Sequence, residues 1–191
     1  MNPRRAFIPQ RRAIFIGCEG ASEVGYASLL QDLVIAAGLH VHLEISELAP
    51  GAGDPLARVE MAVRRLNNLR RTRVAPAEGF VLLDSDQAER NPQRAAGAQH
   101  LAQDNDIHIV WQSPCFEAVL LRHMPDRAAN RPLGALEAAR ALNREWPEYQ
   151  KPMSRAALAR KIDLDAILRA AQVEPKLAEL LRCLGLMGAQ N

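Results

Sequence analysis

Cysteine is scarce in this chain. Cys18, Cys115 and Cys183 are the only three in 191 residues, they lie far apart, and none belongs to a C-x-x-C pair. That spacing excludes a zinc ribbon or a disulfide framework, and the three read as reduced core thiols. Long hydrophobic runs are also lacking. Nothing approaches the ~20 apolar residues that cross a bilayer, so no membrane anchor is expected. The start is basic (Arg4, Arg5, Arg11, Arg12), but the apolar run behind it is of strand length and ends in Glu19, unlike a secretory leader. A cytoplasmic location is the expectation. A net charge of +2 is too small to announce nucleic-acid binding. We find no internal repeat and no low-complexity tract.

The length suits one α/β domain with a helical appendage. A flexible basic segment over 1–11 should precede a core over 12–125, with a helical extension over 126–191 packed upon it. Strands are expected over 12–18, 39–46, 79–84 and 107–111, and helices over 22–37, 54–72 and 92–103. Ser22 should open the first helix, Gly38 end it, and Asp54 cap the second after the loop Pro50-Gly51-Ala52-Gly53. Strands alternating with helices predict a mostly parallel four-stranded sheet between helices. From Pro114 the pattern is helical: 114–123, 133–145, 154–170 and 174–186.

Two apolar runs end in acid: Ile14-Phe15-Ile16-Gly17-Cys18-Glu19 and Phe80-Val81-Leu82-Leu83-Asp84-Ser85-Asp86. Buried parallel strands would bring Glu19, Asp84 and Asp86 to the carboxyl edge of one sheet, where open α/β sheets keep their sites. Converging carboxylates repel one another and call for a divalent cation, and magnesium (or manganese) suits a few carboxylates with substrate oxygens. Asp84 and Asp86, projecting to the same side after a strand, can share one ion. Glu23 lies one turn beyond Glu19 and either supports the helix start or completes the acidic site.

The positive charge is mostly arginine, with Arg58, Arg64, Arg65, Arg70, Arg71 and Arg73 in one segment. Such a helix is a solvated face or a phosphate guide; Arg64, Arg65, Arg70 and Arg71 are the candidates for nucleic-acid contact. His40 and His42 share the polar face of the second strand with Glu44, which reads as exposed surface and not as a metal site.

The stretch Glu19-Gly20-Ala21-Ser22-Glu23-Val24-Gly25-Tyr26 resembles the E-G-x-[ST]-E-x-x-Y signature of the RloB-like family, whose core looks like a Toprim domain. Leu82-Leu83-Asp84-Ser85-Asp86 is similar to the Toprim D-x-D, Pro114 to His123 to a P-x-F-E-x-W-L-L-x-H segment, and Tyr149-Gln150-Lys151 to a later Y-x-K element. The four pieces occur in the expected order. Ala118-Val119 departs from the family pattern in packing residues.

The resemblance implies a Toprim-like fold with Glu19 as metal ligand or general acid/base and Asp84 and Asp86 as magnesium ligands. It implies Glu117 as an accessory ligand, His123 as a helper near the phosphate, and Lys151 as a phosphate contact. It further implies a magnesium-dependent nuclease acting on RNA, tRNA included, or on DNA in phage defence, with an ATPase encoded alongside; a homo-oligomer is left open. A topoisomerase would need a nucleophilic tyrosine from another domain, and a primase extra modules, for which the chain has no room. A haloacid-dehalogenase phosphatase carries its D-x-D on the first strand, followed by threonine or valine; here it falls on the third, with Ala88 in that place. A non-catalytic module on the same fold is the alternative.

Overall fold

The computed structural model describes residues 11–49, 53–72 and 76–188. Most of the basic start, the Pro50–Ala52 part of the first loop and Arg73 therefore lie outside the described residues. Strand β1 (Arg12–Cys18) is followed by helix α1 (Ala21–Ala36), β2 (Val41–Glu47), α2 (Pro55–Thr72) and β3 (Glu78–Asp84). Next come α3 (Ser85–Arg90), α4 (Pro92–Gln103), β4 (Ile107–Gln112) and α5 (Phe116–His123). Helices α6 (Ala135–Glu145), α7 (Arg155–Ala159), α8 (Leu164–Ala171) and α9 (Pro175–Leu184) complete the described residues.

All strand pairs are parallel and the order is β2-β1-β3-β4. Alternation along each strand sends side chains to two separate cores. Ile14, Ile16, Phe80, Leu82 and Val110 face α1, α5 and the C-terminal helices. Phe15, Val81, Leu83, Ile107 and Ile109 face α2 and α4. Residues of α6, α8 and α9 such as Leu142, Ile167 and Leu181 belong to the first of these cores, so the C-terminal helices are continuous with the sheet packing. Each fully buried Ile, Leu or Phe contributes about 2 kcal/mol.

The edge strand β2 is buried on one face through Val41 and Leu43, while His42 is exposed and sits 3.5 Å from Glu44. His40 precedes the strand and is exposed. Both histidines stand where an exposed polar face predicts them.

Three local expectations need correction. The 154–170 segment is two helices, because the Asp163 carboxylate accepts the Ala166 N–H at 2.8 Å and opens α8 afresh. Ser22 does not cap α1: Gly20 occupies the cap position, and Ser22 Oγ instead accepts the Met153 N–H at 3.0 Å. Helix α3 was not foreseen, since none of its six residues is fully buried and they give no apolar period.

Candidate metal centre

The chain runs from β1 outward to β2 on one side and returns to β3 on the other, so the crevice between β1 and β3 is the point where the direction of winding reverses. Cys18 is in register with Leu82 there, which sets Glu19 beside Asp84. The Asp84 N–H donates to Glu19 Oε2 at 3.0 Å, and Asp84 Oδ1 accepts the N–H of Phe116, the first residue of α5, at 2.8 Å. A carboxylate at a helix start is favoured by the helix dipole. Burial and the neighbouring Glu19 and Glu23 charges nevertheless push the Asp84 carboxyl up to about 8.

Glu23, left open between two roles by the sequence, is buried and lines the pocket with Glu19 and Asp84. Its carboxyl is raised, first by burial and also by Glu19. Glu117 is buried in the first turn of α5, where the Tyr149 hydroxyl donates to its Oε1 at 3.1 Å and Lys151 forms an ion pair with the same oxygen. Burial opposes its ionisation, but the Lys151 bond and charge hold the Glu117 carboxyl below its ordinary range. The pocket is an open cavity of about 360 Å³, lined by Glu19, Glu23, Asp84 and Lys151 with Gly20, Ala21, Ser22 and Pro152.

Asp86 is not brought to this lining. A D-x-D in an extended chain points both acids the same way, but the helix α3 begins at Ser85 and rotates Asp86 away from Asp84. Asp86 N–H donates to the Pro114 carbonyl at 3.0 Å, and its Oδ2 meets Arg90 at 3.3 Å, one helical turn on. Its Oδ1 is buried without a hydrogen-bond partner among the described residues.

His123 is also elsewhere. It is fully buried, its Nε2 2.9 Å from the Tyr26 hydroxyl and its Nδ1 2.7 Å from the Val119 carbonyl. The expected helper near a phosphate is a core residue, and burial lowers its pKa to about 4. Arg64, Arg65, Arg70 and Arg71 are exposed on α2. That helix returns the chain to the amino end of β3, so Arg70 and Arg71 lie on the order of 20 Å along its axis from its start near the carboxyl edge. Arg58, from the same stretch, turns inward and donates to the Leu48 carbonyl. Burial pushes the Cys115 thiol up to about 12 and Cys18 well above its ordinary value, in keeping with protonated, unreactive thiols.

The model of the RloB-like protein family matches residues 14–182, from within β1 to within α9. The chain belongs to the RloB-like protein family. No curated protein and no solved structure gives a significant match.

In this RloB-like chain, no three His, Cys, Asp or Glu side chains among the described residues stand ready as a complete ligand set. The donor chemistry still fits a hard divalent cation. The lining acids Glu19, Glu23 and Asp84 are all oxygen donors, and burial with their mutual repulsion opposes ionisation of Asp84 and Glu23, a cost that a bound cation would offset.

Two further contacts gave little sequence signal. Tyr149 fixes Glu117 across 32 residues and Ser22 fixes Met153 across 131. Gly25 inside α1 did offer one, because a glycine within a helix costs about 1 kcal/mol relative to alanine and marks close backbone approach.

Proposed function

We propose that this RloB-like protein is a magnesium- or manganese-dependent nuclease with a Toprim-like core. The observation that carries this reading is the apposition of Glu19 and Asp84 at the crevice between β1 and β3, with Glu23 lining the same open pocket. A bound divalent ion there would polarise a phosphodiester and lower the pKa of an attacking water. Glu19 and Asp84 would hold it, with Glu117 as an outer partner. Glu19 also accepts a backbone N–H that fixes its carboxylate, so its second oxygen is available to orient a water or hold a proton. Lys151, one of the lining residues, would meet a phosphate. RNA, tRNA included, and DNA are the candidate substrates. A role in phage defence beside an ATPase partner is the biological setting we infer from the family.

The reading is tested by incubating purified protein, with and without its partner, with RNA and DNA in Mg²⁺ or Mn²⁺. Asp84→Asn and Glu19→Gln should each reduce cleavage at least 100-fold, about 3 kcal/mol of transition-state stabilisation. A second reading, a non-catalytic nucleic-acid or partner-binding module, is favoured by one observation: Glu117 and Asp86 already carry Lys151 and Arg90 as partners. Cleavage that survives both substitutions, or no cleavage of either polymer with either metal, selects it.

A further inference from the structure

The pocket sets Glu19, Glu23 and Asp84 against a single cation among its lining residues, Lys151, which pairs with Glu117. How this chain builds a fixed counter-charge is visible a few residues away. Arg122 is 1% exposed and is held by Glu174, by the Ser113 carbonyl at 2.6 Å and by the Asn130 carbonyl at 3.1 Å. Lys151 is built differently. Its side chain is 55% exposed, its one ion pair among the described residues is with Glu117, and it stands between α6 and α7 outside any helix.

Residue choice points the same way. Of 24 Lys and Arg residues, only Lys151, Lys161 and Lys176 are lysine, so the site carries the chain's rare cation. An ammonium on a flexible stem has no planar fork to lock it onto a carboxylate and is readily hydrated, which makes it easy to release.

We propose that Lys151 is a removable counter-ion: its ammonium offsets the carboxylate pocket when no divalent cation is bound, and cation binding drives it off Glu117 into solvent. The two positive charges compete for one negative field, and linkage requires each to weaken the other's hold equally. This rests on the metal-site reading above. It adds a direction that a simple brace would not give: removing Lys151 tightens metal binding.

The test uses the full chain and Mn²⁺, followed by paramagnetic relaxation of solvent water. Lys151→Gln should bind Mn²⁺ about tenfold more tightly than wild type, a coupling of ordinary size, and Lys151→Arg should not. In the wild-type protein, an amine-acetylating reagent followed by peptide mass spectrometry should label Lys151 several-fold faster with saturating Mg²⁺. Lys161 and Lys176 serve as internal references, so this measurement stands even where Lys151→Gln fails to fold. Equal or weaker Mn²⁺ binding by Lys151→Gln, or slower labelling of Lys151 in Mg²⁺, overturns the counter-ion role. Wild-type Mn²⁺ binding that Asp84→Asn abolishes upholds the metal site independently of that result. No Mn²⁺ binding by wild type or Lys151→Gln overturns both.

Discussion

Adding one methyl group at Gly25 should unseat the segment that delivers Lys151. A Cβ at this position would lie 2.3 Å from the Met153 carbonyl oxygen and 3.2 Å from both the Arg155 nitrogen and the Ser154 carbonyl carbon. Ordinary carbon–oxygen contact is ~3.3 Å, so the backbone must retreat by about 1 Å. All three atoms are main chain, so no side-chain rotation can relieve the clash. Overpacking of this kind costs ~3 kcal/mol at its upper end. Loss of the Ser22–Met153 hydrogen bond adds about 1 kcal/mol. Alanine's better helix propensity returns about 1 kcal/mol, leaving a net destabilisation of about 3 kcal/mol.

For a chain of this length that corresponds to a Tm about 6–12 °C below wild type. Thermal unfolding followed by circular dichroism measures it. Gly97→Ala is the matched control, because its added Cβ meets only the Leu56 side chain, at 3.3 Å, which can move aside; its Tm should stay within about 2 °C of wild type. A Gly25→Ala protein that melts at or above the wild-type temperature would refute the close approach of α1 to the 153–155 backbone.

Other outcomes follow from single contacts. Burial holds His123 near 4 against ~6.5 in the unfolded chain, so the unfolded state binds the extra proton between those values. Its contribution is complete above about pH 6.5 and is lost as pH falls toward 4, to a limit of about 3 kcal/mol. Denaturant titrations at several pH values should show this loss in wild type and a flatter profile in a Tyr26→Phe, His123→Leu double variant. Asp84→Asn keeps an oxygen to accept the Phe116 N–H while removing a carboxyl whose ionisation is opposed by burial, Glu19 and Glu23, so in EDTA its Tm should rise by a few degrees, about 1 kcal/mol, even as cleavage is lost. Arg64→Gln with Arg65→Gln should flatten the salt dependence of nucleic-acid binding more than Arg70→Gln with Arg71→Gln, which lie toward the amino edge; filter binding at several salt concentrations reads the slopes.

Much of the fold is legible in the sequence because the two central strands, β1 and β3, are nearly pure apolar runs, and burial on both faces leaves a parallel sheet as their natural arrangement. The placement of Glu19 and Asp84 follows from the same fact, since each residue stands where an apolar run stops. Asp86 shows the limit of that logic. Its position depends on whether the chain stays extended for two more residues, and Ser85-Asp86-Gln87 carries no apolar period to announce a helix. His123 shows another limit. A histidine closing a motif reads equally as a surface base or a buried partner, and only the arrival of Tyr26 from 97 residues away decides between them.

Those long-range links explain how four short motifs spread over the chain act on one edge. Ser22 and Tyr26 stand one turn apart on α1 and reach Met153 and His123 respectively, so a single helix fixes both the segment carrying Lys151 and the end of α5. Helix α5 begins on Asp84 and carries Glu117, and Tyr149 holds Glu117 from the segment that also supplies Lys151. The contacts close a ring: α1 to the 149–153 segment, that segment to α5, α5 to β3 through Asp84, and Asp84 to Glu19 beside the start of α1. A ring of this kind spreads the cost of crowding carboxylates over many packed and hydrogen-bonded groups. It also makes their spacing depend on residues that never touch the pocket, Tyr26 and Gly25 among them, and so ties the signature's non-acidic positions to the geometry of its acids.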